Sequence, residues 1–246
     1  MYAYIFDSFL QERKYQHEVV QIENRLATLG IQGKSEKMTI LKNIQEAAKQ
    51  AMKRGATTLV VIGNDETITK VLPHVIGTSV TFGIIPVGPH QTIASILGIP
   101  TGVSACDTLS RRVVRHIDLG KAGASYFLFH MTAPANVQVD CGSYSVTSLD
   151  PNGTITIANF PIDGQGGKPD DGVLELMVVP GEEKRGWGGL KRRPQGSIFP
   201  VKKVKIHATG IPAHLTLDGQ TTVKTPMTIE IADAKLEVIV GKERAF

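Results

Sequence analysis

Leu59-Val60-Val61-Ile62-Gly63-Asn64-Asp65-Glu66-Thr67 is the stretch from which the fold can be read. Four apolar, mostly β-branched residues run into a glycine and a polar turn, and Ile68 to Ile76 then reads as a helix. In a strand–turn–helix unit of this kind, backbone N–H groups and a helix N-terminus face an anionic ligand. A second unit follows at Thr81-Phe82-Gly83-Ile84-Ile85-Pro86-Val87-Gly88, with Pro89-His90-Gln91-Thr92 as its turn. Two such turns on neighbouring parallel strands would lie side by side at the sheet edge where open α/β folds bind ligands. The candidate binding residues are therefore Gly63, Asn64, Asp65 and Thr67 on the first turn, with Gly88, His90 and Thr92 on the second.

Upstream and downstream segments extend the pattern. Ala3 to Phe6 reads as a buried strand, His17 to Leu29 as a helix ended by Gly30, and Thr39 to Arg54 as an amphipathic helix ended by Gly55. Thr92 to Leu97 is a short helix closed by Gly98, and Asp107 is a plausible N-cap for a helix running to about Val114. Strands alternating with helices predict a parallel, helix-covered sheet for residues 1–115. From Arg115 the period changes to short alternating strands: Tyr126–Met131, Asn136–Val139, Tyr144–Ser148, Thr154–Ala158, Leu174–Val179, Val204–Ala208, His214–Leu217, Met227–Ile231 and Lys235–Val240. Asp150-Pro151-Asn152-Gly153 reads as a hairpin turn between two of them. The expected architecture is α/β plus all-β: a Rossmann-like three-layer domain over 1–115 and a β-sandwich-like domain over 116–246, whose last strand is free to return to the first domain.

Composition narrows the class. The 246 residues are 41% hydrophobic and 20% charged, ordinary for a globular protein, and no apolar run approaches the ~20 residues that cross a bilayer. The N-terminus lacks the basic region of a signal peptide, and Cys106 and Cys141 form no CxxC pair. Both features predict a cytoplasmic location. A net charge of +4 is too small to imply nucleic acid, and no aromatic-rich nucleic-acid signature is present. Lys184, Arg185, Lys191, Arg192, Arg193, Lys202, Lys203 and Lys205, interleaved with Trp187 and Phe199, form either a solvated loop or a patch for a lipid or anionic membrane surface.

Taken together the segments resemble the diacylglycerol kinase catalytic family, which includes sphingosine kinases and is related to NAD kinases. Gly63-Asn64-Asp65-Glu66-Thr67-Ile68-Thr69-Lys70-Val71 is similar to its G-G-D-G-T-x-N-E-V element, and Gly83 to Pro100 to its G-I-I-P-x-G-T-G-N-D-F-A-x-x-L-G-I-P element. Ile117-Asp118-Leu119-Gly120 with Tyr126-Phe127-Leu128, Asp170-Asp171-Gly172-Val173-Leu174-Glu175, and Leu217-Asp218-Gly219-Gln220 resemble three later landmarks. The resemblance implies a NAD kinase/diacylglycerol kinase-like fold and an ATP- and Mg2+-dependent phosphoryl transfer to a lipid hydroxyl. It implies Asp218 as the catalytic base, Asp65 and Thr67 at the nucleotide, and Asp171 with Asp170 at the metal.

The departures fall on those same positions. Asn64 and Glu66 stand where the family has glycine, Lys70 reverses a charge, His90-Gln91-Thr92 replaces Gly-Asn-Asp, and Asp7-Ser8-Phe9-Leu10 replaces an N-P-x-S-G element. Gln220 stands where the family has Glu. Two functions follow: a lipid kinase with degenerate motifs, or a catalytically inactive kinase-fold module that binds nucleotide, lipid or a protein partner, with a homodimer left open. Asp218-Gly219 also reads as a plain β-turn, and Asp170-Asp171-Gly172 as a solvated loop.

Overall fold

The structure, a computed structural model, describes residues 1–39, 41–162, 167–181, 196–219 and 221–246. It divides into two units, one comprising Met1–Ile117 with Lys235–Ala245 and the other Asp118–Ala234 with Phe246.

The first unit runs β1 (Tyr2–Phe6), α1 (Arg13–Thr28), β2 (Lys34–Lys37), α2 (Ile44–Lys53), β3 (Thr58–Gly63), α3 (Asp65–Val75), β4 (Thr81–Pro86), α4 (Thr92–Ile96), α5 (Ser104–Arg111) and β5 (Val114–Ile117). The sheet order is β2-β1-β3-β4, then the terminal strand Leu236–Ile239, then β5. β1 to β4 and the terminal strand are parallel, and β5 is antiparallel at the edge. Every residue of β3 and β4 is buried, as their unbroken apolar runs require of central parallel strands. The crossovers through α1 and α2 run in opposite directions along the sheet, so right-handedness puts these helices on opposite faces. α3 packs with α2 and α5 with α1, completing three layers.

Four local differences from the sequence pattern have physical causes. α2 begins at Ile44, because the Asn43 carboxamide caps it by accepting from Gln45 N at 2.8 Å and Glu46 N at 3.4 Å. Leu41, which the helical period includes, is 96% exposed; Ile40 lies outside the described residues. Asp107 lies within α5 and pairs with Arg25 at 2.5 Å instead of capping the helix. The division falls after Ile117 because Val114–Ile117 pairs with the terminal strand in the first sheet.

The second unit holds β6 (Gly120–Ala122), β7 (Ser125–Phe127), β8 (His130–Pro134), β9 (Val137–Asp140), β10 (Ser145–Thr147), β11 (Thr154–Ala158), β12 (Leu174–Val179), β13 (Ser197–Val201), β14 (Lys203–Ala208), β15 (His214–Leu217), β16 (Thr221–Lys224) and β17 (Met227–Ile231). They form two sheets, β10-β9-β14-β17-β6-β7 and β13-β12-β11-β8-β15-β16. Val139, Ile206 and Ile229 of one sheet share a core with Met131, Ile157 and Leu215 of the other, which makes the unit a sandwich. Residues 148–153 join β10 to β11 in the opposite sheet, so Asp150–Gly153 is an inter-sheet connection and not a hairpin loop. Among the described residues no helix is long and apolar enough to cross a membrane.

Gly98 fixes the end of the chain. It has φ +68°, and a Cβ there would meet Arg244 N at 2.4 Å, while Gly241 N and Ala245 N donate to Leu97 O and Ile96 O. Gly30 has a similar φ of +67° with nothing within 4 Å. Left-handed backbone costs a side chain roughly 1–2 kcal/mol. Gly30→Ala is therefore expected to destabilise by about that amount, and Gly98→Ala by clearly more because backbone must also move. Equal losses of unfolding free energy in urea would refute the docking of the C-terminal segment on Gly98.

Candidate functional site

The two turns meet in the first unit. Asn64 is the N-cap of α3, with φ −108° and ψ −175°, ordinary extended backbone that any residue adopts. Its Oδ1 accepts from Thr67 N at 3.1 Å, and Asn64 N donates back to Thr67 Oγ1 at 3.3 Å, closing a capping box. The Thr67 hydroxyl proton is directed to Asp7 Oδ2 at 2.5 Å, with Asn64 Oδ1 2.9 Å away. Gly63 makes room for that hydroxyl, since a Cβ at 63 would lie 2.5 Å from Thr67 Oγ1. Asp65 reaches across to the second turn: Oδ2 accepts from Thr92 N at 2.8 Å and Oδ1 from Ile93 N at 3.0 Å. Asp65 N donates to His90 O at 2.9 Å. His90 is left-handed at φ +58°, and Gly88, at φ +87°, packs against Phe9. All seven candidate binding residues are thus brought together.

What they do there is to satisfy one another. A helix start leaves four orphan N–H groups, and those of Asn64, Asp65 and Thr67 are taken by Thr67 Oγ1, His90 O and Asn64 Oδ1. The N-terminus of α4 is closed by the Asp65 carboxylate. Glu66 turns to Lys70, 2.7 Å away on the exposed face of α3. Asp7, Asp65 and Glu66 place three carboxylates around the turn. A like charge at ~4 Å and an effective dielectric near 20 costs roughly 4 kcal/mol per pair. The residues present do not fit a nucleotide triphosphate held by backbone N–H groups at this turn. Asp7 also borders an open cavity of about 340 Å3 lined by Leu10, Gln11, Gln16, Val19 and Lys37.

The second unit has its own polar centre, around a residue the sequence did not single out. Asn159 is buried, and its Nδ2 donates to Asp118 O at 2.6 Å and Leu128 O at 2.9 Å. Asn159 N donates to Phe129 O at 2.8 Å. The same Leu128–His130 segment presents its three N–H groups to Asp218: Oδ2 accepts from Leu128 at 2.7 Å, and Oδ1 from Phe129 at 2.8 Å and His130 at 3.0 Å. Asp218 lies at φ +47°. Burial pushes its carboxyl up, against the three N–H donors that favour the anion. Asp118 Oδ2 accepts from Gly172 N at 2.7 Å, which fastens the Asp170-Asp171-Gly172 loop. The signal for Asn159 was a lone amide at the end of an apolar strand, where a buried carboxamide must find backbone partners.

Asp170 and Asp171 lie on a loop at the surface. Both are exposed, and Asp171 Oδ1 accepts from Val173 N in its own loop at 3.0 Å. Among the described residues no three His, Cys, Asp or Glu side chains converge to hold a metal ion. Lys184, Arg185, Trp187, Lys191, Arg192, Arg193 and Gln220 lie outside the described residues. Of the remaining basic segment, Lys203 pairs with Glu230 at 2.7 Å and Lys205 stands opposite Asp140. Burial pushes the Cys106 thiol up to about 11, which keeps it protonated near neutral pH.

Comparison with known proteins bears on the fold and on one half of the chain. Residues 5–122 match the family model for the diacylglycerol kinase catalytic domain. A diacylglycerol kinase of Bacillus subtilis is 29% identical over 118 residues, and an uncharacterized protein of Synechocystis sp. is 32% identical over 80. These stretches are 46% and 32% of this chain but only 39% and 18% of the relatives' lengths. A solved structure described as a diacylglycerol kinase from Bacillus anthracis superposes with a TM-score of 0.77 at 16% identity, covering 98% of this chain and 97% of that one. At that identity the likeness establishes the fold alone.

Two expectations follow from the geometry. Asp65→Ala removes the carboxylate that caps α4 and should destabilise by about 1–2 kcal/mol, as loss of a good N-cap does; an unchanged denaturation midpoint would mean the two turns do not depend on each other. Glu175 is buried, accepts from Gly167 N, and its Oε2 has no partner among the described residues. Burial pushes its carboxyl up, and nearby Asp171 adds to the rise. A raised folded-state pKa gives stability that is present below the unfolded value and lost as pH rises through the folded one. The melting-temperature advantage of Glu175→Gln over wild type should therefore grow between about pH 4 and pH 7. An advantage that is constant or shrinks contradicts it.

Proposed function

Because residues 5–122 match the family model for the diacylglycerol kinase catalytic domain, we propose that the chain is a lipid-kinase-family domain that keeps the fold as a binding module and does not turn over ATP. The observation that carries this reading is the Asp65 carboxylate on Thr92 N and Ile93 N, with the α3 cap closed beneath it by Asn64 and Thr67. Three of the four N–H groups at the start of α3 and the first two of α4 are spent internally, and the Asp7 and Asp65 carboxylates lie beside them.

A second reading is favoured by one observation. Asp218, Asn159 and Asp118 form a connected polar centre in the second unit, which is where the resemblance puts the base and the metal. On that reading Asp218 accepts the proton of a lipid hydroxyl, Mg2+ sits at Asp171 with Asp170, and Asp65 and Thr67 face ATP. Bound Mg2+ would supply charge stabilisation for the transferring phosphoryl group. For this the three backbone donors on Asp218 would have to leave a carboxylate lone pair facing the acceptor.

Isothermal titration with ATP and ADP, with and without Mg2+, separates the two. The inactive module gives no heat and no thermal shift at millimolar nucleotide. Saturable ATP binding, together with Mg2+-dependent phosphorylation of diacylglycerol that Asp218→Asn abolishes, would replace the first reading by the second.

A further inference from the structure

Beside the two turns, the ends of β1 and β2 and the first half of α1 enclose the open cavity of about 340 Å3 that Asp7 borders. A volume of that size suits a small molecule. Its floor is apolar, with Phe6 1%, Leu10 4% and Val19 6% exposed. Val20, half-exposed on α1, stands at its mouth.

The polar groups around this floor have engaged donors and open acceptors. Gln11 Nε2 donates to Met38 O, and Gln16 Nε2 donates to Gln11 O at 3.2 Å, which leaves both amide oxygens to accept. The Lys37 ammonium lies 2.9 Å from Glu23 Oε1 and 3.0 Å from Oε2, so its charge is already matched. Asp7 differs. Its Oδ1 accepts from Ser8 Oγ at 3.1 Å and its Oδ2 from Thr67 Oγ1 at 2.5 Å, and both partners are neutral hydroxyls. Among the described residues no cation pairs with this carboxylate, and a carboxylate accepts at more sites than these two.

We propose that the cavity binds a small organic cation, a primary ammonium on an apolar body. The ligand brings the N–H donors and the positive charge that the lining lacks. Its head meets Asp7 and the amide oxygens of Gln11 and Gln16, and its body lies on Phe6, Leu10 and Val19. The Phe6 ring already attracts a cation, since Lys37 Nζ stands 5.6 Å from its centre. An anion of the same shape would meet the like charge of Asp7. The proposal rests on the reading of the chain as a binding module, for which it names a ligand class.

Residue-resolved NMR of the whole 15N-labelled chain tests it, with n-hexylammonium, n-hexanol and n-hexanoate as ligands at neutral pH and constant ionic strength. In wild type n-hexylammonium should saturate, with amide shifts concentrated at residues 6–11 and 16–20. n-Hexanol should bind at least about tenfold more weakly, because it lacks the charge-assisted bonds, and n-hexanoate should give no saturable shift. Asp7→Asn keeps the shape and an acceptor for the Thr67 hydroxyl, and should lose about tenfold on n-hexylammonium. Val20→Trp, at a half-exposed position, should fill the mouth and weaken n-hexylammonium and n-hexanol alike; it decides alone should Asp7→Asn not fold. Glu46→Gln, which removes a carboxylate from α2 on the other face of the sheet, should match wild type. No saturation with n-hexylammonium, shifts centred elsewhere, n-hexanoate binding as tightly, or Asp7→Asn binding as well as wild type overturns the proposal. Nucleotide titration is read separately: ATP binding overturns the module reading, whereas failure of n-hexylammonium alone overturns only the ligand class.

Discussion

The carboxylate of Asp65, shared between the N–H groups of Thr92 and Ile93, is the contact on which the ligand edge of the first unit depends. α4 is only five residues long, too short to be stable by its own helical hydrogen bonds. It exists where it does because Asp65 satisfies its first donors and because Ile93 and Ala94 are buried. Asp65 in turn is aimed by α3, whose start is held by Asn64, Thr67 and Asp7. Four side chains thus convert two neighbouring strand ends into one rigid edge. The same bonds consume the donors and the positive end of the dipole that such an edge otherwise offers to anions.

The β unit uses its acidic residues in a related way. Asp218 collects three successive N–H groups at the break between β7 and β8, where no ladder bonds are available to them. Asp118 holds Gly172, and Asn159 ties the carbonyls of Asp118 and Leu128. Each of these groups is strongly committed because unpaired buried backbone costs about as much as a lost hydrogen bond. A carboxylate with such neighbours is a structural anchor first, and any chemistry it performs must be compatible with keeping them.

Strands with a strong apolar signature were legible from the residues alone. Thr154–Ala158, Leu174–Val179 and Met227–Ile231 occur as read, because each contributes buried side chains at a strand's spacing. β2, Lys-Ser-Glu-Lys, was not legible: its side chains face solvent and it is a strand only through parallel pairing with β1. The Tyr126–Met131 run reads as one strand, yet it is split by the Asp218 anchor some ninety residues away, a partner that local periodicity cannot reveal. The candidate site was legible as a set of positions, and Gly63 to Thr67 does meet Gly88 to Thr92. Its state was not, because motif spacing tells which residues are neighbours without telling which of them are already bonded.

The two substituted glycines of the turn decide how that state should be understood. A glycine serves such a motif either by adopting positive φ or by letting a ligand approach the backbone. At 64 the first reason does not apply, since Asn64 sits at φ −108° in extended backbone, and position 66 lies in the first turn of an ordinary helix. The fold therefore loses nothing by accepting Asn and Glu there. What changes is the space and charge above the turn, now taken by a capping carboxamide, by Asp65 and by the Glu66–Lys70 pair. The substitutions are cheap for folding, and they set side chains and charge where an anionic ligand would approach the turn.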